Sequence, residues 1–109
     1  MLIAVTSKDG KEINQHFGHA ERFLIYSVED GQAKLVDERG VERYCSFDPD
    51  HPLRAHLLKS ISVAIADCRA VVTAQIGEHP KCVLERLGLK VFAISGPIKM
   101  TLVELAKIL

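Results

Sequence analysis

Six consecutive residues, Asn14-Gln15-His16-Phe17-Gly18-His19, set two imidazoles and an aromatic ring around a glycine directly after the first apolar run of the chain. A neutral imidazole offers a lone pair that can bind a transition metal or accept a hydrogen bond from its own loop. Glycine lets backbone N–H groups approach a guest closely. Two further segments carry groups of the same kind. Tyr44-Cys45 supplies a soft sulfur donor, and Gln75-Ile76-Gly77-Glu78-His79 places a glycine and an imidazole at the start of a predicted helix. His51, His56, Cys68 and Cys82 are the other side chains of ligating type.

These groups have to be held by short elements. Leu2 to Thr6 is an apolar run of strand length, closed by the turn signal Asp9-Gly10. Phe23 to Val28 and Ala33 to Asp37 are two further strands joined through Glu29-Asp30-Gly31, which predicts an antiparallel hairpin. Leu53, Leu57, Ile61 and Ile65 then recur every four residues, with Pro52 tolerated in a first helical turn and Asp50 or His51 as cap. Ala70 to Ala74 has the composition of a buried strand, Glu78 to Leu87 that of a short helix closed by Gly88, and Leu89 to Ile94 that of a last strand. Thr101 and Glu104 have the spacing of a capping box opening a terminal helix, with Leu102, Leu105, Ala106 and Leu109 on one face. Cys82, one turn into its helix, is expected in the core, and Cys68 at the far end of the sheet in a structural role.

Right-handed crossovers and adjacent hairpin partners reduce this β-β-β-α-β-α-β-α order to one economical α/β arrangement: a five-stranded mixed sheet of order 3-2-1-4-5, strand two alone antiparallel, with helices on both faces. The segments following strands one, three and four then emerge at one edge. They are the three that carry His16, Cys45 and Gly77. Strands one and three lie roughly 10 Å apart at ~4.8 Å per step, so their loops can span a bulky ligand but not a single ion. The crevice between strands one and four, where connections diverge, is the expected binding place.

Composition limits the choice of ligand and of chemistry. The chain has 109 residues, 48% of them hydrophobic, and 14 basic residues balance 14 acidic ones, which describes one domain without the charge that nucleic acid demands. Three cysteines without a CxxC pair fit a reducing cytoplasm, and no apolar stretch is long enough to predict a membrane span. Nuclease chemistry needs carboxylates gathered on strands for two divalent ions, and these strands carry almost none. No nucleophile–base pair or three-ligand zinc spacing is present either, so the chain reads as a binder rather than an enzyme.

Asn14-Gln15-His16-Phe17-Gly18, Ala74-Gln75-Ile76-Gly77 and Leu87-Gly88-Leu89 resemble the dinitrogenase iron-molybdenum cofactor biosynthesis family, which includes the NifX-type nitrogenase accessory proteins. A similar domain ends the radical-dependent protein that builds the cofactor precursor. The resemblance covers nearly the whole chain, and Tyr44-Cys45 looks like the cysteine segment of the nitrogenase-linked members. It implies a three-layer ribonuclease-H-like fold and a carrier or chaperone of an iron–sulfur cofactor, or its iron–molybdenum precursor, among nitrogenase-assembly proteins. It implies no nitrogenase activity. On that reading His16 and Cys45 are metal ligands, while backbone N–H groups near Gly18 and at the helix start after Gly77 meet the negative charge of the cluster. Phe17 anchors the loop by packing. The alternative is a metal-free protein-interaction or regulatory module that uses the same edge.

Overall fold

Ile3, Ala4 and Val5 have no exposed surface, so the strand that holds them, β1 (Leu2–Val5), is covered on both faces and lies at the centre of the sheet. In the computed structural model, which describes residues 1–41 and 54–109, the chain continues through β2 (Glu12–Ile13), a 3-10 turn (Phe17–His19), β3 (Arg22–Glu29), β4 (Gln32–Gly40) and α1 (Arg54–Ala64). It ends with β5 (Ala70–Thr73), α2 (Glu78–Arg86), β6 (Lys90–Ala93), β7 (Gly96–Pro97) and α3 (Ile98–Ala106). The five-stranded sheet has the order β4-β3-β1-β5-β6. β3 is antiparallel to both its neighbours, and β1, β5 and β6 are parallel. This is the strand order that the connection rules predict.

Alternation along the strands divides the core into two layers. Ala4, Phe23, Ile25 and Val71 pack with Leu57, Leu58, Ile61 and Ile65 of the α1 segment and Leu84 of α2. Ile3, Val5, Leu24, Tyr26, Val28 and Val72 pack with Ile98, Leu102 and Leu105 of α3 on the other face. Removing one of these fully buried side chains, as in Leu102→Ala, deletes transfer energy and leaves a cavity, a cost of about 2–5 kcal/mol.

Local chemistry explains the turns. Asp30 (φ 52°) and Gly31 (φ 75°) both take the left-handed conformation of a type I′ turn, whose twist matches a two-residue hairpin. Gly88 (φ 94°) ends α2 in a Schellman motif: Leu89 N–H donates to Leu84 O (3.1 Å) and Gly88 N–H to Glu85 O (3.1 Å). Leu84 and Leu89 join the same apolar cluster beneath that cap. No helix among the described residues is long and apolar enough to cross a membrane.

Three sequence expectations need correction. α3 begins at Ile98 with Pro97 as its cap, not at Thr101, because Ile98 N–H is already held by Lys11 O (3.0 Å) where β2 pairs with β7. Thr101 lies one turn inside. Cys82 is exposed, because the buried side of α2 is set by Pro80 and Leu84, and position 82 lies about 200° round the helix from each. The strand after the hairpin runs to Gly40 rather than Asp37. A bulge between the partners of Ile25 and Tyr26 skips Val36, and this irregularity, with the charges of Asp37, Glu38 and Arg39, shields an edge strand from pairing.

Arg39 fastens that edge to the rest of the molecule. Its guanidinium reaches both carboxylate oxygens of Asp67 (2.6 and 2.9 Å), Asp37 (3.0 Å) and the carbonyl of Ala64 at the end of α1 (2.8 Å). These bonds hold Asp67 and Asp37 below the usual carboxylate range, through Arg39 first in each case. A depressed carboxylate adds stability above its unfolded value of about 4, lost as pH falls through the folded value. Arg39→Ala is therefore expected to lower stability at neutral pH and to flatten the loss of stability below pH ~4, measured by urea unfolding across pH. An unchanged acid limb would mean that the pin contributes nothing.

Candidate functional site

The pairing of β1 with β5 outlasts β1 itself. Thr6 N–H still donates to Val72 O (3.1 Å), and then residues 7–14 swing away from the sheet. This excursion is closed by its own side chains. Asp9 Oδ1 accepts from the N–H groups of Lys11 (2.9 Å) and Glu12 (3.1 Å), Ser7 Oγ from Gly10 N–H (2.9 Å), and Asn14 Oδ1 from Lys8 N–H (2.8 Å). The two backbone donors hold the Asp9 carboxyl below its usual range. The chain then returns to the position β1 vacated. Ala74 N–H donates to Gln15 O (3.1 Å), Phe17 N–H donates to Gln75 O (2.8 Å), and His16 forms a parallel bridge with Gln75.

That bridge brings three of the four expected site residues to one edge. His16 opens the 3-10 turn, and its Nδ1 accepts from Gly18 N–H (2.9 Å), so the neutral ring carries its proton on Nε2. Gly18 is buried, and Phe17 beside it is driven into the core, its ring 5.9 Å from that of Phe23. Gly77, two residues beyond Gln75, is the N-cap of α2 and has no side chain to satisfy the first helical N–H groups. Its φ is −71°, and a Cβ there would make only ordinary contact with Pro80. Among the described residues nothing crowds that position. Cys45, with Tyr44 and His51, lies outside the described residues, as does the His56 side chain.

The other histidines take distinct places. His19 is exposed, with its ring centroid 5.1 Å from that of His16, and His79 is exposed in the first turn of α2. Beside His19 opens a polar cleft of about 650 Å³ lined in part by Ser7, Lys8, Gln15, Arg22 and Glu38, with room for a guest larger than an ion. Among the described residues no three His, Cys, Asp or Glu side chains gather as a metal cage. Cys68 lies at the far end of β5, buried, with its thiol pushed up to about 11 chiefly by burial, which disfavours the reactive thiolate.

Sequence reasoning missed Thr6 and Thr73. Both are fully buried and both bond the Gln15 carbonyl, at 2.9 Å each. The available signal was a threonine at or next to the end of each of two predicted neighbouring parallel strands.

Half-burial of His16 lowers its imidazole pKa, with the nearby His19 ring as a second cause. A histidine depressed in the folded state contributes stability that is present above its unfolded value near 6.5 and is lost as pH falls toward the folded one. Protonation also removes the lone pair that receives Gly18 N–H. A pH titration followed by NMR is expected to show the Gly18 amide moving together with the His16 ring at a midpoint below 6.5. A Gly18 amide indifferent to that titration would contradict the bond.

Comparison with known proteins adds a family to this geometry. The chain matches the family described as dinitrogenase iron-molybdenum cofactor over residues 1–107. It is 37% identical over 105 residues to the FeMo cofactor biosynthesis protein NifB of Frankia alni, covering 96% of this chain and 21% of that protein. It is 34% identical over 99 residues to the NifB of Chlorobaculum tepidum, covering 89% of this chain and 22% of that protein. The chain thus spans about a fifth of the length of these relatives. Its fold is similar to that of PH0822 (TM-score 0.64, 22% identity, 95% of this chain and 87% of that one). It is also similar to that of MJ0327 from Methanocaldococcus jannaschii (TM-score 0.54, 18% identity, 89% of this chain and 78% of that one). The chain belongs to the dinitrogenase iron-molybdenum cofactor family.

Proposed function

We propose that this chain carries an iron–sulfur cofactor of the iron–molybdenum type, or its precursor, during nitrogenase cofactor assembly. It holds the cargo at the sheet edge through His16, with Cys45 as a second exchangeable donor, and acts as a carrier rather than as a catalyst. The scaffold is read as ribonuclease-H-like, and the partners as nitrogenase-assembly proteins. The observation that carries the proposal is the His16–Gln75 bridge, which pairs the backbone of His16 with the strand two residues before the N-cap of α2 at Gly77.

The chemistry suits a guest that must leave again. A cluster assembled elsewhere needs one or two protein ligands, not the closed set of four used in structural sites. Its negative charge is met by backbone N–H groups at Gly18 and at the start of α2, so a neutral chain needs no basic patch. The resting bond at His16 adds a competitor. Iron at Nδ1 would take the lone pair that Gly18 N–H now occupies. Iron at Nε2 would require the ring proton on Nδ1, where it would face Gly18 N–H donor to donor. Loading by either nitrogen frees that N–H to turn toward a sulfide of the cargo, and release lets it close on the ring again.

Two substitutions separate ligand from cap. His16→Ala removes both functions, whereas His16→Asn keeps an acceptor oxygen close to Nδ1 and so preserves the turn. Iron–molybdenum cofactor extracted from dinitrogenase and mixed anaerobically with the protein is expected to migrate with it through a sizing column. Both variants should lose at least tenfold in affinity, about 1.4 kcal/mol, with the Gly18 amide signal kept in His16→Asn. Separate migration of wild-type protein and cofactor, or full binding by His16→Asn, would overturn the proposal. So would capture of a nitrogenase-assembly protein that ignores both His16→Ala and removal of iron, the outcome expected of a metal-free interaction module.

A further inference from the structure

Thr6 and Thr73 stand side by side where β1 and β5 end, both with no exposed surface. Their hydroxyl oxygens are 2.8 Å apart. Each lies 2.9 Å from the carbonyl oxygen of Gln15, and Thr73 Oγ1 is also 3.2 Å from Gln75 O. Two hydroxyl protons serve this network. One lies in the 2.8 Å contact between the hydroxyls, and the other goes to Gln15 O at 2.9 Å in preference to the more distant Gln75 O at 3.2 Å. Gln15 O is then held by a hydroxyl as well as by Ala74 N–H (3.1 Å).

The sheet itself does not require those hydroxyls. Valine is branched at Cβ like threonine, favours strands, and would bury no polar atom of its own at either place. What the hydroxyls do is fix one carbonyl. That carbonyl shares a rigid peptide plane with the nitrogen of His16, so clamping the oxygen sets the plane from which the His16 Cα and its imidazole project. On the far side of His16, Phe17 N–H is tied to Gln75 O and Phe17 is buried, so the histidine is held from both ends.

We infer that Thr6 and Thr73 are positioning residues for the ligand loop: their hydroxyls clamp the Gln15 carbonyl and thereby aim the His16 imidazole at the site. The inference rests on the carrier reading for its consequence in binding, but not for its effect on the ring.

Thr6→Val, Thr73→Val and the corresponding serine variants test it by two independent readouts. One is the NMR signature of the cargo-free protein, the ¹⁵N shift of His16 Nδ1 together with the Gly18 amide. The other is affinity for extracted iron–molybdenum cofactor. Each valine variant is expected to keep the amide pattern of the sheet, shift the ring and Gly18 signals, and bind the cofactor about tenfold more weakly. The serine variants keep the hydroxyl and should retain both signals and affinity. Valine variants with an unaltered His16–Gly18 signature overturn the inference, as do serine variants that lose it to the same extent. If a valine variant does not fold, the serine variant decides: a retained signature supports the clamp, and a lost one refutes it. If wild-type protein binds no cofactor, the carrier reading fails, while the ring signature still decides the role of the threonines.

Discussion

A strand that ends and is then continued by a different stretch of chain is the constraint on which the site depends. β1 stops pairing with β5 at Thr6, and residues 15–17 return after the excursion to take up the vacated positions beside Ala74 and Gln75. Ordering each residue of such an excursion costs about 1–2 kcal/mol of backbone entropy. The cost is offset locally, by Asp9, Ser7 and Asn14 bonding the loop backbone and by Ile13 and Phe17 going into the core. The outcome is a histidine carried on sheet-like backbone rather than on a free loop. On the proposed carrier reading, backbone held in place in advance lowers the ordering cost of binding.

The same constraint decides which neighbours His16 has. Parallel β5 delivers its crossover helix from the same edge, so the amino end of α2 follows two residues after the bridge. Charge balance is then no obstacle to an anionic guest. Oriented N–H groups supply the positive potential that lysines supply elsewhere, and they supply it only at the edge.

Much of this was legible in the sequence because it follows from period and turn chemistry. Short apolar runs with Asp30-Gly31 between two of them gave the hairpin, and handedness then left one strand order, which the structure has. The convergence of His16 with Gly77 followed from that order. The errors were made where tertiary contacts outweigh local signals. Thr101 and Glu104 imitate a cap, but the Lys11 carbonyl reaches Ile98 from a distant part of the chain and starts α3 a turn earlier. The two-residue pairing of β2 with β7 is too short to leave a periodic pattern, and a place one turn into α2 does not by itself tell that Cys82 faces outward. The hydroxyl clamp on Gln15 is invisible to pattern reading. Threonine is a common strand residue, and only the register of β1 against β5 shows that two of them meet over one carbonyl.

The central claim is that the His16 imidazole donates an electron pair to iron of the carried cluster. Pulsed electron paramagnetic resonance on protein labelled with ¹⁵N-histidine and loaded with extracted iron–molybdenum cofactor in its paramagnetic state tests it most directly. The account predicts a ¹⁵N hyperfine coupling of a directly bound imidazole that disappears in His16→Asn. A loaded wild-type sample with no histidine nitrogen coupled to the cluster, or a coupling that survives His16→Asn, would contradict it.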